Sequence, residues 1–201
     1  MKRYAIMFAI MVFSLIPVTG QAALIFSDNF DGESLALNYA GFANWTVSAG
    51  TVDLIGNPAF FDFLGGNGRY VDLDGSTGDA GIMTSSALAL TGGVSYDLTF
   101  SLAGSQRGDT NTVIYGIDYN SDSILDVSAS QTLASSVGFG VFNLSFTPGS
   151  STSNARIVFG QTGGDNVGLL LDNVALNSVV AGVPEPGSLL LLGSAFAGLA
   201  P

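Results

Sequence analysis

The sequence contains no cysteine and no histidine among its 201 residues. Without cysteine the chain has no disulfide bonds, so its stability must come from packing and from any ion that it binds. Without histidine it can build no histidine-dependent triad, no histidine metal site and no usual proton shuttle for neutral pH. These absences remove several of the common classes of enzyme.

Basic residues and glutamate are also scarce. Five Lys and Arg stand against sixteen Asp and Glu, which gives a formal charge of −11. Nucleic acid is not expected as a partner, because binding phosphates requires clustered Lys and Arg. Glu33 and Glu185 are the two glutamates, so a glycosidase would have to use aspartates, which lie mainly in turns. The composition favours a protein that is not an enzyme, with a secreted glycan hydrolase or lyase as the alternative.

The N-terminal segment has the features of an export signal. Lys2 and Arg3 precede an apolar stretch over residues 4–18, and small residues stand at Gly20 and Ala22. This pattern predicts a signal peptide over residues 1–22 that signal peptidase removes after Ala22. A transmembrane interpretation is less favoured, because the apolar stretch is short and ends in helix-breaking residues.

The C-terminal segment contains a proline-flanked acid before an apolar run. Val183, Pro184, Glu185 and Pro186 lack two backbone donors and are predicted to form an extended, exposed peptide ahead of residues 187–201. The arrangement resembles the sorting signal of the PEP-CTERM exported proteins. That resemblance implies exosortase as a processing partner, transient anchoring in the inner membrane, and delivery to the surface of bacteria that make exopolysaccharide.

The apolar run departs from that family in two respects. As a helix, residues 187–201 would reach roughly 22 Å, against a hydrocarbon core of about 30 Å, and the family's basic tail is absent. The interpretations left open are a truncated transmembrane segment, a protein that is simply released, and a tail that packs on the domain. The predicted organisation is a signal peptide (1–22), a β-domain (23–178), a linker with the sorting motif (179–186) and an apolar segment (187–201).

The central region reads as a series of short strands. Its apolar stretches are β-branched or aromatic and are bounded by Gly, Asn, Asp or Ser. Residues 95–103 and 140–147 alternate apolar and polar side chains, which is typical of antiparallel strands with one wet face. About nine strands and no amphipathic helix among them predict an all-β antiparallel sandwich or jelly roll. A signal helix at the N-terminus and an apolar helix at the C-terminus are expected to flank it. A β-helix is the alternative, but no short repeat supports it.

The order of these features is similar to that of the galactose-binding-like jelly roll, a fold common in carbohydrate-binding modules. Four segments carry the resemblance: residues 28–33 after the first strand, 70–75 in the middle, 92–100 leading into a long strand, and 171–176 at the end. The resemblance is one of pattern and order. It therefore supports the fold more than a ligand.

One acidic stretch partly matches a calcium-binding loop. Oxygen-bearing side chains occur at relative positions one, three, five and nine, which are Asp118, Asn120, Asp122 and Asp126. The glycine expected at position six is Ser123, and the acid expected at position twelve is Ala129. The alternatives are a weak calcium site and a solvated acidic turn.

The jelly-roll resemblance implies a second possible calcium site. In such domains an ion commonly joins the segment after the first strand to the last strand. The residues at those positions here are Asp31, Glu33 and Asp172. The alternative is that Asp172 only forms hydrogen bonds with the neighbouring turn.

Aromatic residues suggest sugar binding as the activity, because aromatic rings stack on the apolar faces of sugars. The candidate residues are Phe60, Phe61, Phe63, Trp45 and Arg69. Trp45 precedes a strand and is more typical of a core residue. Phe60, Phe61 and Phe63 occupy three of four positions and cannot all point into one core. The sequence predicts an exported surface or matrix protein that is structural or binds carbohydrate such as exopolysaccharide, with an adhesin or surface-layer subunit as a further alternative.

Overall fold

The computed structural model describes residues 22–179, and all regular secondary structure in that range is β-strand. The strands are β1 (Leu24–Asp28), β2 (Trp45–Ser48), β3 (Asp53–Gly56), β4 (Arg69–Asp72), β5 (Ile82–Ser85), β6 (Leu88–Leu90), β7 (Tyr96–Ala103), β8 (Thr110–Asp118), β9 (Val127–Ala134), β10 (Gly140–Phe146), β11 (Thr152–Gln161) and β12 (Leu170–Ser178). Accordingly, no helix that could cross a membrane occurs in the described part of the chain.

The strands form two six-stranded sheets. Sheet A has the order β10, β7, β12, β4, β3, and β1 also pairs with β12. Sheet B has the order β2, β5, β11, β8, β9, and β6 also pairs with β11. Every one of these strand pairs is antiparallel. The predicted all-β antiparallel sandwich is confirmed, whereas the predicted terminal helices lie outside the described residues.

The main core fills the space between the sheets. On β7, Leu98, Phe100 and Leu102 are buried, while Thr99 and Ser101 between them are half-buried. Phe100 meets Phe159 of β11 edge-on, with ring centroids 5.0 Å apart. The period of two in the sequence therefore identifies the face of each long strand that turns toward the other sheet.

A second, smaller core lies on the outer face of sheet A, at the end formed by β3 and β4. Here Ile55, Tyr70, Ala103 and Leu170 are buried, although their neighbours along each strand face the main core. The residues packed over them are Phe60, Phe63, Leu64 and Phe139. The connection between β3 and β4 thus acts as a cover for this part of the sheet.

Two strands have little signal in the sequence and were not predicted. β6 is only three residues long, and β9 is a strand of small and polar residues at the edge of sheet B. In β9 the outward positions are exposed and the inward ones are mostly half-buried. Because an edge strand needs few large apolar side chains, its alternation is weak.

Candidate functional site

The connection from β3 to β4, residues 57–68, is called here the aromatic loop. The buried hydroxyl of Tyr70 on β4 holds it in place by hydrogen bonds. The backbone N–H groups of Phe63 and Leu64 donate hydrogen bonds to this oxygen over 2.7 and 3.1 Å. The hydroxyl donates in turn to Oδ1 of Asp62 over 3.0 Å. Burial raises the pKa of Tyr70 to about 12, so the hydroxyl keeps its proton at neutral pH.

The aromatic loop presents one ring to solvent and holds two others against the domain. Phe61 is 52% exposed, while Phe60 and Phe63 are half-buried on the smaller core. The rings of Phe60 and Phe61 meet edge-on with centroids 5.0 Å apart. Phe61 has a φ of 49°, a left-handed conformation that is strained for a residue with a side chain. Strain of this kind at an exposed aromatic residue is a pointer to function.

Arg107, in the connection between β7 and β8, links the aromatic loop to the sheet beneath it. Its guanidinium lies over the ring of Phe63, 5.2 Å from the centroid. Its Nη2 also forms an ion pair with Oδ2 of Asp72 on β4. Sequence reasoning missed Arg107, because it and Phe63 belong to different connections and no local pattern joins them.

Three buried carboxylates lie near this link. Asp53 and Asp72 stand directly opposite each other on β3 and β4, and Asp74 follows two residues after Asp72. Their exposed fractions are 5%, 1% and 0%. Asp53 accepts hydrogen bonds from the N–H of Asn38 and from the N–H and hydroxyl of Ser76. Its partners are therefore neutral groups.

The other two carboxylates have perturbed pKa values. Burial raises the pKa of Asp72 to about 7, against the opposing effect of Arg107, and repulsion from Asp53 and Asp74 adds to the rise. Burial also raises the pKa of Asp74. Oδ2 of Asp74 accepts the N–H of Gly164 over 3.3 Å, whereas Oδ1 is buried without a hydrogen-bond partner.

Trp45 belongs to the main core, which corrects its place in the predicted sugar-binding set. It is 4% exposed, and its ring meets Phe26 edge-on at 5.3 Å between centroids. Its Nε1 donates to Oδ2 of Asp28 over 3.0 Å. Trp45 begins β2 with its side chain turned toward the other sheet, so no sugar has access to its face.

Arg69, another member of that set, is half-buried and makes hydrogen bonds to the segment after β1, so its contact with a sugar stays a prediction. Its guanidinium Nη1 donates to the backbone oxygen of Glu33, and its N–H donates to Oδ1 of Asp31 over 2.8 Å. The side chain therefore holds the segment that follows β1. Arg107 is the cation that contacts a ring of the aromatic loop.

The acidic connection between β8 and β9 satisfies its own hydrogen bonds. Oδ1 of Asp118 accepts the N–H groups of Asn120, Ser121 and Asp122, and its Oδ2 accepts that of Ser123. Oδ2 of Asp126 accepts the N–H of Tyr119 over 2.7 Å. The side chain of Asn120 donates to Oδ2 of Asp122 over 3.0 Å. The four predicted ligands thus lie between the last residue of β8 and the start of β9, with both oxygens of Asp118 facing backbone donors.

The second predicted calcium set is engaged in a similar way. Glu33 accepts hydrogen bonds from the N–H of Ala43 and the hydroxyl of Tyr39. Asp172 accepts them from the N–H and side chain of Asn173. Burial raises the pKa of Asp172 to about 7, and the charges of Asp31 and Asp28 raise it further. Asp31 and Asp172 therefore lie close enough to repel each other.

The oxygens of both acidic sets have hydrogen-bond partners within the protein. Those of Asp118, Glu33 and Asp172 accept hydrogen bonds from protein donors. Within residues 22–179, no group of three or more Asp, Glu, His or Cys side chains has the geometry to hold a metal ion. Calcium binding stays a prediction, and no part of the function proposed below depends on it.

Two further hollows occur on the surface. The outer face of sheet B carries a cavity of about 380 Å³, whose walls include Ile82, Ile114 and Thr84 and no aromatic ring. A wider hollow of about 670 Å³ lies beside Asp28 and Asn173. The sequence did not indicate the first, because its walls combine outward side chains from strands far apart in the chain. The second has Glu33 in its wall and lies where the segment after β1 meets the last strand, the junction at which the second calcium set was predicted.

The predicted sorting motif, Val183, Pro184, Glu185 and Pro186, lies outside the described residues. So do the predicted signal sequence, apart from Ala22, and the apolar segment over 187–201. Export, exosortase processing and membrane anchoring therefore stay predictions.

Comparisons with known proteins give structural similarity alone. No family model matches the sequence, and no curated protein matches it. Among solved structures, the CBM22-1 and GH10 modules of Clostridium thermocellum endo-1,4-β-D-xylanase 10B match at 13% identity and a TM-score of 0.52, over 80% of this chain and 29% of that chain. A structure described as "CBM4 structure and function" matches with 13% sequence identity and a TM-score of 0.52. The match covers 76% of this chain and 99% of that one.

An adhesin domain also shares the architecture. The K3 cleaved adhesin domain of Lys-gingipain from Porphyromonas gingivalis matches at 14% identity and a TM-score of 0.54, over 77% of this chain and 98% of that domain. At these identities the likeness shows a fold and no more. The described residues thus form a β-sandwich of the jelly-roll type found in carbohydrate-binding modules.

Proposed function

We propose that residues 23–178 form a non-catalytic carbohydrate-binding domain and that Phe61 carries the main contact with the sugar. The observation that supports this most is the exposure of the Phe61 ring on a loop that Tyr70 fixes from below. An aromatic face held in one position offers a flat apolar surface to the C–H groups of a pyranose ring. Because the loop is already ordered, little conformational entropy is lost on binding.

Polar groups next to the ring suit the hydroxyl groups of a sugar. Asp62 is half-buried and Asn67 is exposed in the same loop, and the side chain of Arg107 is 26% exposed. A few fixed polar groups beside an apolar surface are the usual composition of a small-ligand site. The jelly-roll fold adds support, since it is shared with carbohydrate-binding modules.

A hydrolase or lyase is less well supported. Glycosidases place two carboxyl groups on either side of the bond that they cleave. One candidate pair, Asp53 and Asp72, faces across β3 and β4, but the two residues are 5% and 1% exposed and are engaged with protein partners. A polysaccharide chain has no access to carboxyl groups that are buried in this way.

An adhesin or surface-layer subunit is the second candidate, and one observation favours it. β10 lies at the end of sheet A and pairs only with β7 among the described strands, and its Val141 is 78% exposed. An edge strand with free backbone groups can pair with another chain. Concentration-dependent self-association that a charged substitution, Val141→Lys, abolishes would support this candidate.

We also propose that the protein is exported, is processed by signal peptidase and exosortase, and acts at the cell surface or in the exopolysaccharide matrix. The support is the sequence at the two ends of the chain. The proposal predicts a mature N-terminus at Ala23 and, in cells with exosortase, a loss of mass at the C-terminus. A Glu185→Ala variant that is processed like the wild type would contradict the exosortase step.

The binding proposal is tested with a panel of soluble polysaccharides that includes xylan and bacterial exopolysaccharides. Wild type, Phe61→Ala and Ile124→Ala are compared by affinity electrophoresis, Ile124 being a 69% exposed apolar residue between β8 and β9 of the other sheet. We expect at least one glycan to bind, with an affinity about tenfold or more lower for Phe61→Ala and unchanged for Ile124→Ala. Equal binding by all three proteins would refute the role of Phe61, and absence of binding across the panel would count against the function.

A further inference from the structure

The connection between the aromatic loop and the carboxylates beneath it runs through one cation. Arg107 contacts the ring of Phe63 on one side and the carboxylate of Asp72 on the other. Phe63 is in turn held by its N–H to the hydroxyl of Tyr70. A change in the charge of Asp72 therefore acts on Arg107 first and on the loop through it.

The carboxylates around Asp72 are not balanced by positive charge. Asp53 faces Asp72 across the strands, and Asp74 donates its N–H to Oδ1 of Asp72 over 3.2 Å. Asp165, in the connection between β11 and β12, adds to the negative potential at Asp74. Within residues 22–179, Arg107 makes the one ion pair found. Four acids thus face a single cation, in surroundings where like charges repel strongly.

One oxygen of this group lacks a donor. Oδ1 of Asp74 is fully buried and has no hydrogen-bond partner among the described residues. A buried ionised carboxylate normally has its lone pairs occupied by donors, since leaving them empty is costly. The ionised form of Asp74 is therefore poorly compensated, and its charge adds to the repulsion at Asp72.

We propose that Asp72 and Asp74 form a buried proton-binding site that sets, through Arg107, how firmly the aromatic loop is held. When both carboxylates are ionised, the ion pair between Asp72 and Arg107 is at full strength and the Arg107 guanidinium stays over the ring of Phe63. When a proton neutralises Asp72, the guanidinium loses its partner and the loop loosens. The direction of the raised pKa values agrees, because Asp72, with a pKa of about 7, changes charge near neutral pH.

The proton site stands on its own geometry, while its effect on sugar affinity rests on the proposed function. If Phe61 binds a glycan, affinity falls as the pH drops below about 7. The loosening of the loop has a readout that requires no glycan. The two proposals can therefore fail separately.

The test follows the full-length protein by NMR between pH 5 and 9. Side-chain carboxyl carbons report the titration of Asp72 and Asp74, and the amide signals of Phe63 and Leu64 report the loop. We expect these amide signals to shift with a midpoint near pH 7, together with the carboxyl signal of Asp72. Amide signals that stay constant over this range, or a carboxyl signal of Asp72 that does not change between pH 5 and 9, would overturn the proposal.

Substitutions test whether the aromatic loop responds to Asp72 through Arg107, and they separate that coupling from a general loss of stability. Arg107→Gln removes the cation, so it should raise the midpoint of Asp72 by roughly 1 to 3 pH units and uncouple the loop amides from that titration. Asp74→Asn removes one like charge and should lower the midpoint. The control, Asp97→Asn, changes a half-buried acid on β7 that faces Ser145 and should leave the midpoint unchanged. A pH response of the loop amides that persists in Arg107→Gln would refute the role of Arg107 in coupling Asp72 to the loop.

Discussion

Two groups of aromatic residues in this molecule are used in opposite ways. The first surrounds Trp45 in the main core, where it contacts Phe26, Phe30 and Phe159. The second is the aromatic loop, where Phe61 is exposed although Phe60 and Phe63 are half-buried. Both groups contain several rings close together, so the number of aromatic residues does not distinguish a core from a binding surface.

The difference lies in the backbone that carries each group. The core rings come from strands and the segments beside them, which direct them between the sheets. The loop places three rings in four consecutive residues, with positive φ at Ala59 and Phe61. Consecutive rings in irregular backbone point in different directions, so one of them remains outside. The comparison teaches that local backbone, more than composition, decides which aromatic ring is available to a ligand.

The largest effect is expected for a substitution in the core group. Trp45→Ala removes the ring packed on Phe26 and the donor to Asp28, and should lower the free energy of unfolding by about 3 to 5 kcal/mol. Urea denaturation followed by circular dichroism measures this. A loss below about 1 kcal/mol would show that Trp45 is not a core residue in solution.

An intermediate effect is expected where the loop meets the sheet. Tyr70→Phe leaves the N–H groups of Phe63 and Leu64 and the carboxylate of Asp62 without a common partner, which should cost about 1 to 3 kcal/mol. Hydrogen exchange at the amides of Phe63 and Leu64 should become faster than in the wild type. Unchanged exchange would mean that the hydroxyl does not fix the loop.

A smaller effect is expected from pH. Asp74 has a raised pKa in the folded protein, so the folded state retains its proton to higher pH than the unfolded state. Its contribution to stability is complete below the unfolded pKa of about 4 and is lost as the pH rises through the folded value. Urea denaturation at a series of pH values from 4 to 8 measures this. As the pH rises, the free energy of unfolding of Asp74→Asn should increase relative to that of the wild type. A constant difference across that range would contradict the raised pKa.

Much of the fold could be predicted from the sequence, because long antiparallel strands reveal themselves by alternation. β7 and β10 were predicted to within a residue or so, whereas β6 and β9 were missed for lack of large apolar side chains. The assignment to the jelly-roll type depended on the order of features along the chain. Pairing partners such as β12 with both β4 and β1 have no local signal.

The candidate site was only partly predictable. The turn residues around Phe60, Phe61 and Phe63 indicate a loop, and three rings within four residues indicate that one stays exposed. The link from Phe63 through Arg107 to Asp72 depends on three separate segments, so sequence alone does not indicate it. The same limit applies to Trp45, whose burial is decided by the strand opposite it.

The smallest effect on stability, and the most direct test of the account, concerns Phe61 itself. Trp45, the single tryptophan of the sequence, is buried in the main core, and Phe61→Trp adds a second, exposed indole on the aromatic loop. Fluorescence then distinguishes the two aromatic groups within one protein. The account predicts that a bound glycan changes the emission of the variant while leaving that of the wild type, which reports Trp45 alone, unchanged. Glycan binding that alters the emission of Trp45, or that leaves the indole introduced by Phe61→Trp unaffected, would contradict it.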